Sequence, residues 1–370
     1  MKSQKNSPTI SIIMPVYNRS QFIEETLGYL LGQTFQDFEV ILVDDKSTDN
    51  SREIIRKVTK GDSRFKLFVN KKNYGSPYVA RNRGIEEAKG KYLIFLDDDD
   101  IFPKNMLTEY LKVAEKNNTE ITIAHFNNYY ADTGKMTNQD TYWKYIPKKD
   151  LIKVSDMAEY WFIAFLGSPC NKMYRRNLIV KNKIQYPETT REDTTFCIKA
   201  LLKVKEVGFV HKVLFTHRHG HTQLTNITTS FFYYSMNWWP NFKKFRQDVV
   251  KTKNKKLIQS IDNRILDIMM HSFNSAVRSP NVDDITEYFE WIKEIMNYCG
   301  LDKCKKSYIL PHNQKKYRDA MLIVNDDYIK TMSDYARKVE KLKDEIARIK
   351  SLRGATRNFL GAIKRKLLRR

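Results

Sequence analysis

Four carboxylates stand side by side at Asp97, Asp98, Asp99 and Asp100, directly after the apolar run YLIFL. Adjacent like charges repel and lose hydration near a protein interior, so this arrangement calls for a positive partner. A strand ending in Asp-x-Asp offers hard oxygen ligands on a short, rigid base. Mg²⁺ or Mn²⁺ held there keeps waters and completes its shell with substrate phosphates. An acidic helix N-terminus is the plainer alternative, because DDDDIFPKNML leads into a helical pattern. One or two acids would satisfy that role, and four exceed it. Three histidines at alternate positions, His217, His219 and His221, share one face of an extended strand and form a second candidate metal cluster.

These residues need a frame, and the first hundred positions supply one. TISIIMPVY, FEVILVDD, FKLFVN and KYLIFLDDDD read as buried strands. Between them, QFIEETLGYLLGQ, REIIRKVTK and PYVARNRGIEEAKG carry helical spacing, with Ser20 as a candidate N-cap and Gly90 as a candidate C-cap. Strand and helix in alternation predict a mostly parallel α/β sheet flanked by helices. Ligands bind at the carboxyl ends of such strands. Tyr17 and Asn18, Asp44 and Asp45, and the acidic quartet all fall at those ends. Asp44 also suits the cap of the following turn. EDTTFCIKALLKV predicts a further helix, with Asp193 suited to its N-cap, and EVGFVHKVLFTHRH a strand or hairpin.

At this point several separated motifs agree in order and spacing. ISIIMPVYN, FEVILVDDKSTDNS, ARNRGIEEAKGKYLIFLDDDD and REDTTF resemble the inverting nucleotide-sugar glycosyltransferases of family 2, which have the GT-A fold, over about residues 8–226. The resemblance implies that Pro15 and Tyr17 meet the nucleotide and that Asp45 accepts a hydrogen bond from uracil. It places Arg81 and Asn82 near the nucleotide. Asp97 and Asp99 align with the family's metal motif, Asp99 as direct ligand and Asp97 in a ribose or water-mediated contact. Asp98 takes the variable position among the donor-binding residues. Asp193 aligns with the general base that deprotonates the acceptor hydroxyl, with Glu192 beside it. Arg218, His219 and His221 fall in a loop that closes over the diphosphate. Here His217 and Gln223 replace an aromatic and a serine of the family pattern. SPCNKMYRR falls beside the acceptor site, where Cys170 reads as a small buried residue.

The implied cofactor is Mn²⁺ or Mg²⁺. The implied partners are a UDP-sugar donor and a glycan or lipid-linked acceptor of cell-surface polysaccharide, such as capsule. The expected organisation is a catalytic domain over 1–228, a helical region over 229–330, and a tail over 331–370. In the tail, Tyr335, Val339, Leu342, Ile346 and Ile349 keep heptad spacing, which suits homo-oligomerisation. The acid-free end SLRGATRNFLGAIKRKLLRR reads as a membrane-surface helix.

The formal charge of +22 favours anionic partners. A nucleic-acid-binding protein is the rival reading, but no basic-aromatic recognition motif accompanies the charge. A catalytically silent GT-A-like scaffold is a third, and intact Asp97, Asp99 and Asp193 count against it. The opening MKSQKNSPTI is polar, no run approaches a membrane span, and Cys170, Cys197, Cys299 and Cys304 form no CxxC pair. The expected location is therefore cytoplasmic, peripheral to the inner face of the plasma membrane.

Overall fold

The structure is a computed structural model, and it describes residues 7–138, 143–165, 168–189, 191–219, 238–271 and 282–325. Strands β1 (Ile10–Val16), β2 (Phe38–Asp44), β3 (Phe65–Val69) and β4 (Tyr92–Phe95) alternate with helices α1 (Ile23–Leu31), α2 (Ser51–Val58) and α3 (Tyr78–Glu87). Helix α4 (Met106–Asn117) leads to β5 (Ile121–Tyr130), β6 (Lys135–Asn138), β7 (Leu151–Lys153) and β8 (Lys172–Arg175). Helix α5 (Glu192–Leu201) and β9 (Glu206–His219) follow. The sheet runs β3-β2-β1-β4-β8-β5-β9-β7, with β6 paired to β5. β8 is antiparallel to both β4 and β5, so β3, β2, β1, β4, β5 and β9 point one way. The architecture is thus mostly parallel, as the alternation predicts, with β8 as an inserted reversal.

The chain divides into two compact units, residues 1–265 and 266–370. Helix α6 (Trp239–Lys251) belongs to the first unit and packs on α5. Helix α7 (Lys255–His271) spans the division. In the second unit, α8 (Val282–Cys299) packs on α9 (Gln314–Val324), burying Ile292, Ile295, Met296 and Ile323. The heptad and basic segments over 331–370 lie outside the described residues.

β1 is apolar on both faces because both are covered: Ile10, Ile12, Ile13 and Met14 are fully buried. Helix α3 comes so close to it that a Cβ on Gly84 would lie 2.3 Å from Ile13 Cγ2. Glycine there sets how near Arg81, one turn earlier, stands to the strand ends. Two expected caps take other roles. Helix α1 begins at Ile23 rather than beside Ser20, whose amide instead donates to Asp49 Oδ2 at 3.0 Å. Helix α3 ends at Glu87, and a Cβ on Gly90 would strike Ser11 N at 2.6 Å. Gly90 therefore serves close approach of β4 to β1, not a helix cap.

A polar knot fixes that approach. Ser11 Oγ donates to Glu39 Oε1 at 2.6 Å and accepts from Gly90 N at 2.8 Å. Glu39 also accepts from Lys89 N at 2.8 Å and Lys66 Nζ at 2.5 Å. Burial opposes ionisation of Glu39, but Lys66, Ser11 and the Lys89 amide outweigh it and hold its carboxyl below the usual range. Folded-state depression means that its stabilisation is present above the unfolded carboxyl value and is lost as pH falls through the folded one. Urea melts between pH 7 and 3 should show Glu39→Gln less stable than the parent at pH 7. That gap should narrow below about pH 4, where the unfolded carboxyl titrates.

Candidate active site

Parallel register aligns Val16 with Asp44, and the Asp45 amide donates to Val16 O at 2.8 Å. This sets the β1 and β2 ends side by side, with half-buried Pro15 near the end of β1 and exposed Tyr17 just beyond it. Buried Asp45 is oriented by two donors, Asn70 Nδ2 and Tyr74 N, each at 2.8 Å. Asp44 turns into its own loop and accepts from Ser47 N at 3.1 Å, the turn role its position suggested.

The acidic quartet leaves β4 beside this pocket, and each carboxylate meets positive charge. Arg81 Nη2 lies 2.8 Å from Asp97 Oδ1, and Arg81 Nη1 lies 3.1 Å from Glu192 Oε1. Arg81 is only 5% exposed, buried between the two carboxylates. Burial works against its charge, but Asp97 foremost holds the guanidinium firmly ionised. Asp97 is likewise held below its usual range, Arg81 overcoming the desolvation. Asp98, assigned from sequence to a variable position, faces into the site. Arg19 Nε lies 3.2 Å from Asp98 Oδ1 and 3.4 Å from Asp99 Oδ2, and Tyr17 N donates to Asp98 Oδ2 at 3.4 Å. Burial, then the Asp99 charge, pushes the Asp98 carboxyl well up.

Asp100 is fully buried, accepts from Arg218 N at 3.0 Å and lies 3.3 Å from His217 Nδ1. Burial pushes its carboxyl up to about 7, against the pull of His217. Burial disfavours the imidazolium in turn, yet the bond and charge of Asp100 raise His217 on balance. Arg218 Nε donates to Asp99 O at 2.9 Å, and Nη2 to Glu25 Oε2 at 2.8 Å. His219, on the same strand face as His217, pairs Nε2 with Asn128 Oδ1 at 3.0 Å and stacks on Tyr130. His221 lies outside the described residues.

On the other side of Arg81, α5 opens with Glu192 and Asp193. Arg191 takes the N-cap position with φ +56°, so Asp193 sits inside the first turn rather than capping it. Its Oδ1 accepts from Thr194 N at 2.5 Å and Thr194 Oγ1 at 3.2 Å. The helix is set against β4 by a cluster in which the Phe196 ring lies 5.1 Å from Phe95 and stacks on Tyr186 at 4.1 Å. Burial and the adjoining Asp193 charge push Glu192 up to about 7 despite Arg81. Beneath lies Lys172, fully buried, with Nζ donating to Ser168 O and Asn171 Oδ1, each at 2.8 Å. Cys170 is buried as expected; desolvation keeps its thiol protonated, and it donates to Asp97 Oδ2 at 3.5 Å.

The donor set fits a hard divalent cation. Oxygens of Asp98 and Asp99 already converge on one positive centre, and Asp100 Oδ2 is buried with no hydrogen-bond partner among the described residues. Asp97, Asp100 and Cys170 also bring ligand atoms within 4.8 Å of one another. A protonated thiol beside an Asp97 already engaged by Arg81 makes that trio the poorer cation site.

A mostly parallel sheet whose strand ends gather a carboxylate pocket, an acid quartet and a helix-borne acid is the architecture of the GT-A fold. The crystal structure of S. aureus TarS 1–349 in complex with UDP-GlcNAc superposes with TM-score 0.69 at 19% identity, over 89% of this chain and 92% of that one. The glycosyl transferase family 2 model matches residues 11–181. An uncharacterized glycosyltransferase of Haemophilus influenzae is 32% identical over 213 residues, 58% of this chain and 78% of that protein. The chain belongs to glycosyl transferase family 2. Poly(ribitol-phosphate) beta-glucosyltransferase of Bacillus spizizenii is 25% identical over 342 residues, covering 90% of this chain. The chain spans about half, 51%, of that relative's length.

Arg19, Asn70, Tyr74 and Lys172 were not singled out by sequence reasoning, and His217, read there as part of a metal cluster, instead partners Asp100. A cation next to a strand end was the available signal for Arg19, and alternation with His219 for His217. Removing Arg81 leaves Asp97 and Glu192 without their shared counter-ion, so Arg81→Ala should cost about 3–5 kcal/mol in chemical denaturation. Arg81→Lys, a point charge without the fork, should recover only part of that loss.

Proposed function

We propose that the chain is an inverting glycosyltransferase moving a sugar from a UDP-sugar to a hydroxyl of a cell-surface polymer. The observation that carries this reading is one group of strand and helix ends that brings together buried Asp45, the acidic quartet and the Asp193 carboxylate. A carboxylate has about four acceptor positions. With two engaged by Asn70 and Tyr74, Asp45 keeps room for the uracil N–H, and Tyr17 borders the base. The TarS complex with UDP-GlcNAc supports a UDP-sugar donor.

Asp193 is the proposed base. It takes the proton of the acceptor hydroxyl as that oxygen bonds to the anomeric carbon, and the bond from that carbon to the diphosphate breaks on the opposite face. Glu192 and Arg81 fix the helix start that presents it. Arg218 adds positive charge near the departing diphosphate. When bound, a divalent cation with Asp99 as ligand, the Asp98 carboxylate beside it, Asp97 nearby and His219 and His221 as further candidates, would neutralise phosphate charge.

Relatives named for poly(ribitol-phosphate), the Bacillus protein and S. aureus TarP, support a phosphate-bearing polymer acceptor, and a charge of +22 suits a polyanion. Among the described residues no helix is long and apolar enough to cross a membrane. The basic segment ending the chain is the proposed attachment to an anionic membrane surface, and the heptads before it the proposed oligomer contact.

Release of UDP from UDP-sugars, with and without Mn²⁺ and acceptor polymer, tests the reading. Asp193→Asn should lower kcat about 10²–10⁴-fold while UDP still binds. Asp45→Ala should chiefly weaken UDP binding. Metal-independent release that survives both Asp99→Asn and Asp193→Asn would sink the proposal.

A further inference from the structure

Arg19 differs from the other cations of the site in how it is held. Its backbone is fixed: the amide donates to Ser51 Oγ at 2.8 Å, and its carbonyl accepts from Phe22 N and Ile23 N, each at 3.0 Å. The preceding Asn18 has φ +50°, and its side-chain oxygen accepts from Thr48 N at 2.8 Å, which locks the turn.

The head is held more loosely. Nε sits 3.2 Å from Asp98 Oδ1 and 3.4 Å from Asp99 Oδ2, yet it is buried and donates an aligned hydrogen bond to neither. Among the described residues, Nη1 reaches only the nearby carbonyls of Tyr17 and Asn18, at 3.4 and 3.3 Å. Arg81, by contrast, meets Asp97 at 2.8 Å in a hydrogen bond. Arg19 is therefore an anchored arm whose charge neutralises two acids without being fastened to them. Charge without hydrogen-bond geometry is the weaker, more exchangeable form of ion pairing.

We propose that Arg19 is an exchangeable counter-ion that competes with the divalent cation for Asp98 and Asp99 and moves onto the donor's diphosphate when metal and donor bind together. The inference rests on the metal–nucleotide reading above. A divalent ion taking these oxygens must displace the guanidinium. Without donor the displaced group loses its acids and gains only water. With donor it gains phosphate oxygens that suit its planar fork. Metal and nucleotide then bind cooperatively, and this coupling is reciprocal.

The test uses the full chain and Mn²⁺ binding followed by electron paramagnetic resonance, with and without UDP and against a UDP-only control. In the parent, UDP should tighten Mn²⁺ binding within the roughly 5–150-fold span typical of coupled sites. Arg19→Gln should bind Mn²⁺ alone about 5-fold or more tighter, with coupling to UDP reduced by a similar factor. Arg19→Lys keeps the competing charge but lacks the fork, so it should bind Mn²⁺ alone like the parent and show weaker coupling. An Arg19→Gln variant whose Mn²⁺ affinity without UDP is unchanged or weaker overturns the proposal while leaving the metal–nucleotide reading intact. A parent that binds no Mn²⁺ even with UDP overturns both.

Discussion

A guanidinium taken out of water must be paired, because an uncompensated buried charge costs several kcal/mol. Arg81 meets that demand with two acids 95 residues apart in the chain, Asp97 at the end of β4 and Glu192 at the start of α5. The pair of contacts joins the end of β4 to the helix start that carries Asp193. Around it the other elements fall into place. Asn82, next to Arg81, exchanges two hydrogen bonds with the Tyr186 backbone, and the Tyr186 ring lies under the guanidinium. The same ring stacks on Phe196 of α5. Helix α3, the segment before α5 and α5 itself are thus referenced to one cation.

Placing that cation requires a close helix. Gly84 lets α3 lie against Ile13, and Gly90 lets β4 enter beside Ser11. These small residues carry no chemistry, yet they bring the strand ends together. The quartet in turn is not left to repel itself. Arg81, Arg19, His217 and the Arg218 amide each take a share of it. The acid row and its cations form one electrostatic unit drawn from β1, α3, β4 and β9.

The parallel half of the fold was legible because strands covered on both faces appear as continuous apolar runs, as ISIIMPV and FEVILVD do. The reversal at β8 was not, since KMYR is four residues long and is fixed by pairing with both β4 and β5. The acids were legible as a cluster, and their places at the strand ends followed from the parallel rhythm. Part of their pairing was hidden: Arg19 and His217 become partners of the acids only when the fold brings them to residues 79 to 117 positions away. Ser20 and Gly90 show the limit of local rules. A cap-type residue near a helix end was claimed instead by tertiary contacts.

Ile101, the first residue after the quartet, exchanges backbone hydrogen bonds with Thr216, the last residue before His217: Ile101 N to Thr216 O at 3.1 Å and Thr216 N to Ile101 O at 3.0 Å. The stitch makes the acid row and the histidine–arginine strand end a single lever. Tension applied at either side reaches the other through two hydrogen bonds and no flexible loop. A substitution that shifts the end of β9 is therefore passed on to the acid row as well.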